Sequence, residues 1–145
     1  MKQEEIVNEV MSALEKRNWD KVEMQLSDDF TFSGAVPKPI GKKEWVGVHR
    51  ALQTGIPDLK FNLRQVSLKG DKVTAKVKLQ GTHTVDMPPP MQGVKAIPIT
   101  GKKIQLPEEE LEFTFKGNKI SNINVKPVPH GGVPGILEQL GAPIH

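Results

Sequence analysis

Three side chains in this chain combine the right chemistry with an informative position: His83, His130 and Glu109. From Val73 onward the odd positions are Val73, Ala75, Val77, Leu79, Gly81, His83 and Val85, and the even ones are Thr74, Lys76, Lys78, Gln80, Thr82 and Thr84. A period of two fits a sheet with one buried face, so His83 is expected to point inward. An inward imidazole is either a packed group tied by a hydrogen bond or a working acid and base. His130 stands between Pro129 and the pair Gly131 and Gly132. It reads first as a solvated loop histidine, and alternatively as a base able to take a proton α to a carbonyl. Alternation carried back from Leu111, Phe113 and Phe115 places Glu109 on the inward side, where desolvation would raise its pKa. Pro107 interrupts the pattern, however, and Glu108, Glu109 and Glu110 together read first as a solvated edge. The furthest-reaching expectation is that His83, from the sheet floor, and His130, from the mouth, face one cavity and act on a carbonyl guest between them. His49 shares a helix face with Trp45 and reads as core or interface.

The composition closes several routes. The chain has 145 residues and no cysteine, which removes disulfides, thiolate metal sites and cysteine nucleophiles. It has no tyrosine, so no phenol serves as acid or oxyanion donor. The formal charge is +3, with lysines spread over outward strand positions and turns, which argues against nucleic acid as a partner. The N-terminal MKQEEIVNEV lacks the basic and apolar regions of a secretory signal, and no run approaches membrane-spanning length. A cytoplasmic location, no membrane and a single domain over 1–145 are the expectations.

The elements that must position these residues follow from periodicity. Ile6, Val10, Ala13 and Leu14 predict an amphipathic helix over 3–17, and Trp19, Val22 and Leu26 a short second one. Phe30 and Phe32 mark a strand. Residues 36–40, with two prolines, read as a loop, and Trp45, Val48, His49 and Leu52 share a face of a third helix ending by Gly55. A long strand is expected from Asp58, with a bulge near Arg64 and Gln65 where the apolar phase shifts from odd to even. Turns at Gly70, Gly101 and Gly117 link further strands, and Ile136, Leu137 and Leu140 suggest a terminal helix. Helices followed by hairpin-linked, bulged strands predict an α+β domain: a curved antiparallel β-sheet forming a cone over N-terminal helices.

The ordered series GIPDL, GDKV, GTHT, IPITGKKI, GNKI and GILEQLG resembles the SnoaL-like polyketide cyclase and ester cyclase family, whose fold is the cone of ketosteroid isomerase and nuclear transport factor. The likeness runs from Glu4 to Gly141. It implies a cystatin-like α+β barrel, a homodimer, no metal, no cofactor, and a deep pocket under the inner sheet face. His83 matches the histidine of the family's GTH motif. Family cyclases use an aspartate on or just after the last strand as general acid and base, whereas here no aspartate lies between Lys119 and Gly141.

The candidate catalytic residues are thus His83, His130 and Glu109. The candidate ligand-binding residues are Trp45, Phe61, Met87, Met91, Phe113 and Asn124, the aromatic ones also reading as plain core. Met87 and Met91 flank Pro88, Pro89 and Pro90 and suggest an apolar lid over the cone mouth. A polyproline ligand segment is the other reading of that run. Three functions stay open: a metal-free cyclase or isomerase acting on a small apolar carbonyl compound, a non-catalytic binder of an apolar small molecule, and a scaffold dimer with a filled cone.

Overall fold

The computed structural model describes residues 2–34, 36 and 38–142. The N-terminal layer is α1 (Gln3–Glu15) and α2 (Trp19–Met24), followed by β1 (Leu26–Ser33), the short β2 (Ile40–Gly41) and α3 (Lys42–Gly55). The rest is β3 (Arg64–Lys69), β4 (Lys72–Val77), β5 (Gln80–Thr82), β6 (Lys103–Gln105), β7 (Glu109–Lys116), β8 (Lys119–Val125) and α4 (Gly132–Gln139). Ile6, Val7, Val10, Met11 and Leu14 bury one stripe of α1, and Trp45, Val48, His49 and Leu52 one of α3, as their helical spacing requires. The ends of these helices are tied together: the buried Gln53 amide donates to the Leu14 carbonyl at 2.7 Å, and Arg17 donates to the carbonyls of Gln53 and Pro57.

Six strands form the main sheet in the order β2-β1-β8-β7-β4-β3. All neighbours are antiparallel except β1 and β8, which run parallel because the chain returns to β1 only after the whole meander from β3. The expected bulge is present: the β3–β4 register shifts between Arg64 and Ser67, and Gln65 has φ of 54°. The strand expected from Asp58 starts only at Arg64. Residues 58–63 run beside 78–82, tied by a bridge from Lys60 to Gln80 and by the Lys78 N–H donating to the Phe61 carbonyl, and the Phe61 N–H donates to the Glu15 carboxylate at 2.9 Å. Leu68, expected inward, is half exposed at the sheet edge.

The 73–85 segment does not stay in one sheet. Val73, Ala75 and Val77 are buried in β4, but the chain leaves β7 at Lys78 and re-forms as β5, which pairs with β6 and is bridged to Lys60 on its other side. Gly81 permits this, since a Cβ there would sit 2.4 Å from the Ile56 side chain. The core fills the space between the concave sheet face, α1, α3 and α4, with Phe30, Phe113, Leu14, Leu52, Ile123 and Ile136 almost wholly enclosed. Among the described residues no helix is long and apolar enough to cross a membrane.

Candidate functional site

The core is not completely filled. A cavity of about 70 Å³ lies between α1, α3, α4 and the concave sheet face, lined by apolar side chains including Met11, Leu14, Phe32, Leu52, Val77, Leu111, Ile123 and Ile136. Three lining residues carry polar atoms: Trp45, His49 and Glu109. α3 supplies the first two, which face the same way because they are four residues apart on a helix. Their rings meet edge to face with centroids 4.7 Å apart, and Phe61 packs on the other side of His49 at 5.6 Å. Trp45 Nε1 and His49 Nδ1 are both buried and have no hydrogen-bond partner. Desolvation, with no compensating partner, lowers the His49 pKa from 6.5 to about 4.

Glu109 opens β7, and the residue is only 4% exposed. Its inward direction follows from the register: Leu111 and Phe113 share its face, while Glu110 and Glu112 point outward and take lysine partners. Oε1 accepts from the backbone N–H of Gly132, the first residue of α4, at 2.9 Å. That donor and the positive end of the helix favour the carboxylate, but desolvation is the stronger influence and raises the Glu109 pKa. Among the described residues neither Oε2 nor His49 has a hydrogen-bonding side-chain partner, so the two groups share the cavity without closing on each other. Glu109 also stands at the exit. A more polar recess of about 180 Å³, lined by Gly34, Lys126, Pro127, Val128 and Gly131, shares Val36, Glu109, Val125 and Gly132 with the cavity.

His83 is fully buried, as its alternation predicts, but it does not line this cavity. Past Leu79 its strand belongs to the β5–β6 pair, so its inward face meets the 97–102 segment instead. Nδ1 shares a hydrogen bond of 2.8 Å with Thr100 Oγ1, and the backbone N–H donates to the Lys102 carbonyl. His130 lies outside. Its side chain is 73% exposed and bonds Glu138 on α4 at 3.0 Å. The two histidines therefore do not face one cavity. The left-handed backbone of His130, with φ of 64°, turns the chain so that the Gly132 N–H meets Glu109.

Of the expected lining residues, Trp45 and Phe61 reach the cavity. Phe113 is core elsewhere. Asn124 points to the outer sheet face, since it pairs in register with Glu112 between inward Ile123 and Val125, and there it accepts from Ser33 Oγ at 2.9 Å. Met87 and Met91 do not form a lid. Met87 is fully buried against Gly55 and bridged to Ile97, while Pro89, Pro90 and Met91 border a surface recess with Gly47 and Val48 of α3. The residue that sequence reasoning placed in the core without a role is His49. Its signal was available: an imidazole four residues from a tryptophan on an apolar helix face, in a chain with no tyrosine.

A SnoaL-like polyketide cyclase family model matches residues 5–123, and the chain belongs to that family. A candidate SnoaL-like polyketide cyclase from Jannaschia sp. CCS1 superposes with a TM-score of 0.72 at 16% identity, covering 97% of this chain and 93% of its own. A ketosteroid isomerase-like protein from Catenulispora acidiphila, solved with trimethylamine, gives 0.66 at 16% identity over 97% and 95% of the two chains. An LEH-like epoxide hydrolase from M. tuberculosis gives 0.65 at 14% identity over 96% and 92% of the two chains. At such identities these likenesses show the fold, a cone over N-terminal helices, and leave activity to the site. No match was found among curated protein sequences.

Proposed function

We propose that the protein binds a small, largely apolar carbonyl compound in the α3–sheet cavity and moves a proton on it, with Glu109 as general base. One observation carries this reading: a carboxylate stands almost fully enclosed in the wall of an otherwise apolar cavity, with one oxygen held by Gly132 and the other unengaged. A buried carboxylate is costly unless paired or used, and desolvation makes it a stronger base once ionised. In the forward step the Glu109 carboxylate takes the α-proton and the C–H electron pair moves into the carbonyl as an enolate. Return of the proton to the same or another carbon completes an exchange or isomerisation.

The volume restricts the guest. About 70 Å³ admits a head group of a few heavy atoms, and the recess beyond Glu109 leaves room for a tail. Protein assembly enters the same proposal as a homodimer, for which the open outer face of the sheet is the candidate surface.

The test is deuterium exchange into the α-positions of butanone followed by NMR. The expected result is exchange above the buffer rate that falls about 100-fold or more in Glu109→Gln, the scale of one lost base. Binding of butanone with no enzyme-dependent exchange would instead select the non-catalytic reading.

A further inference from the structure

The enclosed Trp45 and His49 nitrogens are the strongest feature of the cavity wall not used by the proton-transfer step. Trp45 Nε1 can only donate, and it has no acceptor. His49 Nδ1 is equally unpartnered, and both residues are nine-tenths or more buried. Native structures rarely leave such atoms orphaned, because each forfeits its water without replacement. Here two occur on one helix face, in side chains whose rings touch, in the wall of a cavity. The two rings are in contact, with centroids 4.7 Å apart, so the two unpartnered nitrogens belong to one contiguous patch of the wall.

We infer that Trp45 Nε1–H and His49 Nδ1–H form a donor pair for a single acceptor oxygen of the guest, which makes the cavity selective for a carbonyl or another neutral oxygen acceptor over a hydrocarbon of the same shape. The inference rests on the cavity of the proposed function and supplies its recognition element. An imidazole that stays uncharged suits this task, since it donates from one nitrogen without bringing a full charge into an apolar wall. The His49 ring is held between Trp45, which it meets edge to face, and Phe61, against which it is tilted, so little ring movement is needed when the guest arrives. Glu109 shares the cavity without a bond to His49, which leaves the space between acceptor and base for the guest's carbonyl and α-carbon.

Butanone and its isostere 2-methylbut-1-ene, in which a methylene replaces the oxygen, separate this role from simple packing. In ¹⁵N–¹H spectra the protein has two indole N–H signals, Trp19 and Trp45, assigned with Trp45→Phe. The expected result is a downfield shift of the Trp45 indole proton with butanone and none with the alkene. Butanone should also bind about tenfold tighter than the alkene, with that preference lost in His49→Phe and in Trp45→Phe. Glu109→Gln should retain both the shift and the preference, so failure of the base leaves this result intact. Equal binding of ketone and alkene, an indole signal that ignores both, or an indole already held by bound water and unmoved by butanone would overturn the donor pair. Should the single variants unfold, the indole shift in the unmodified protein still decides the question.

Discussion

Glu109 and His49 are pulled away from their ordinary pKa values by the same burial, and they push the folding equilibrium in opposite directions. For His49 the unfolded chain takes up a proton as pH falls through 6.5, whereas the folded protein resists until about 4. Its contribution to stability is therefore complete above 6.5 and is lost as pH drops toward 4, by up to about 3 kcal/mol. His49→Phe should flatten that acid limb in denaturant titrations between pH 4 and 7. For Glu109, with its folded pKa raised, the native state keeps its proton longer than the unfolded chain. Stability is then complete below the ordinary carboxyl value of 4.5 and declines as pH rises through the folded pKa. Glu109→Gln should remove that decline and leave the protein more stable at pH 7, because an amide oxygen can still accept from Gly132. A variant that is both more stable and inactive would mark Glu109 as a residue kept for chemistry. His130 makes the contrast. Exposed and bonded only to Glu138, it should tolerate His130→Asn with α-exchange unchanged and stability within about 0.5 kcal/mol, since asparagine adopts the left-handed backbone readily.

The element that sets the site is the turn from β8 into α4. A Cβ on Gly135 would lie 2.1 Å from the His130 carbonyl oxygen, so the first turn of α4 presses directly on the loop backbone. Gly135→Ala should cost about 2 kcal/mol or more by overpacking and draw the Gly132 N–H off Glu109. The measurements are thermal melting and amide exchange at Gly132, which should quicken; an unchanged exchange rate would show that the turn does not hold the carboxylate. This same turn explains what was hard to read in advance. Alternation gave the direction of His83 correctly, but a period of two names a face and not the sheet that face belongs to. The strand's departure at Lys78 depends on Ile56 and Asp58, distant in sequence, packing beside Gly81. Glu109 looked like an edge because Pro107 breaks the pattern. The break is real, since burial passes from even Ile104 and Leu106 to odd Glu109 and Leu111, but it resets the phase at the start of β7 and leaves the glutamate inside. The helices, the Gln65 bulge and the hairpin turns were legible because they rest on local spacing and backbone preference. The pairing of β1 with β8, and hence the cavity, rests on contacts across most of the chain.

For the molecule as a whole, the homodimer is the prediction that one strand read in isolation supported for the wrong reason. In sequence, Thr74, Thr82 and Thr84 beside Lys76 and Gln80 read as a polar, weakly charged outer strip able to pair with a copy of itself, yet the strand beside β4 changes that character. Lys72 bonds Glu112 at 3.1 Å, Lys76 lies 3.7 Å from Glu108, and Lys126 bonds Glu110 at 2.5 Å. The outer face thus alternates lysine and glutamate, with Thr74 and Asn122 between. Such a face can still pair with a copy of itself, because a two-fold axis passing between the lysine and glutamate rows sets basic residues of one copy against acidic ones of the other. A stable interface of this kind needs about 800 Å² from each copy, an area that the outer face of the main sheet is the natural candidate to supply. Light scattering on a size-exclusion column should give about twice the 16.0 kDa chain mass at micromolar concentration. Thr74→Arg with Asn122→Arg adds two long, positively charged side chains at the centre of the face and should yield a monomer that still binds butanone, since the cavity lies on the opposite side of the sheet. A chain that runs at 16.0 kDa without any substitution would remove the dimer, while a dimer that ignores both arginines would move the interface to another surface.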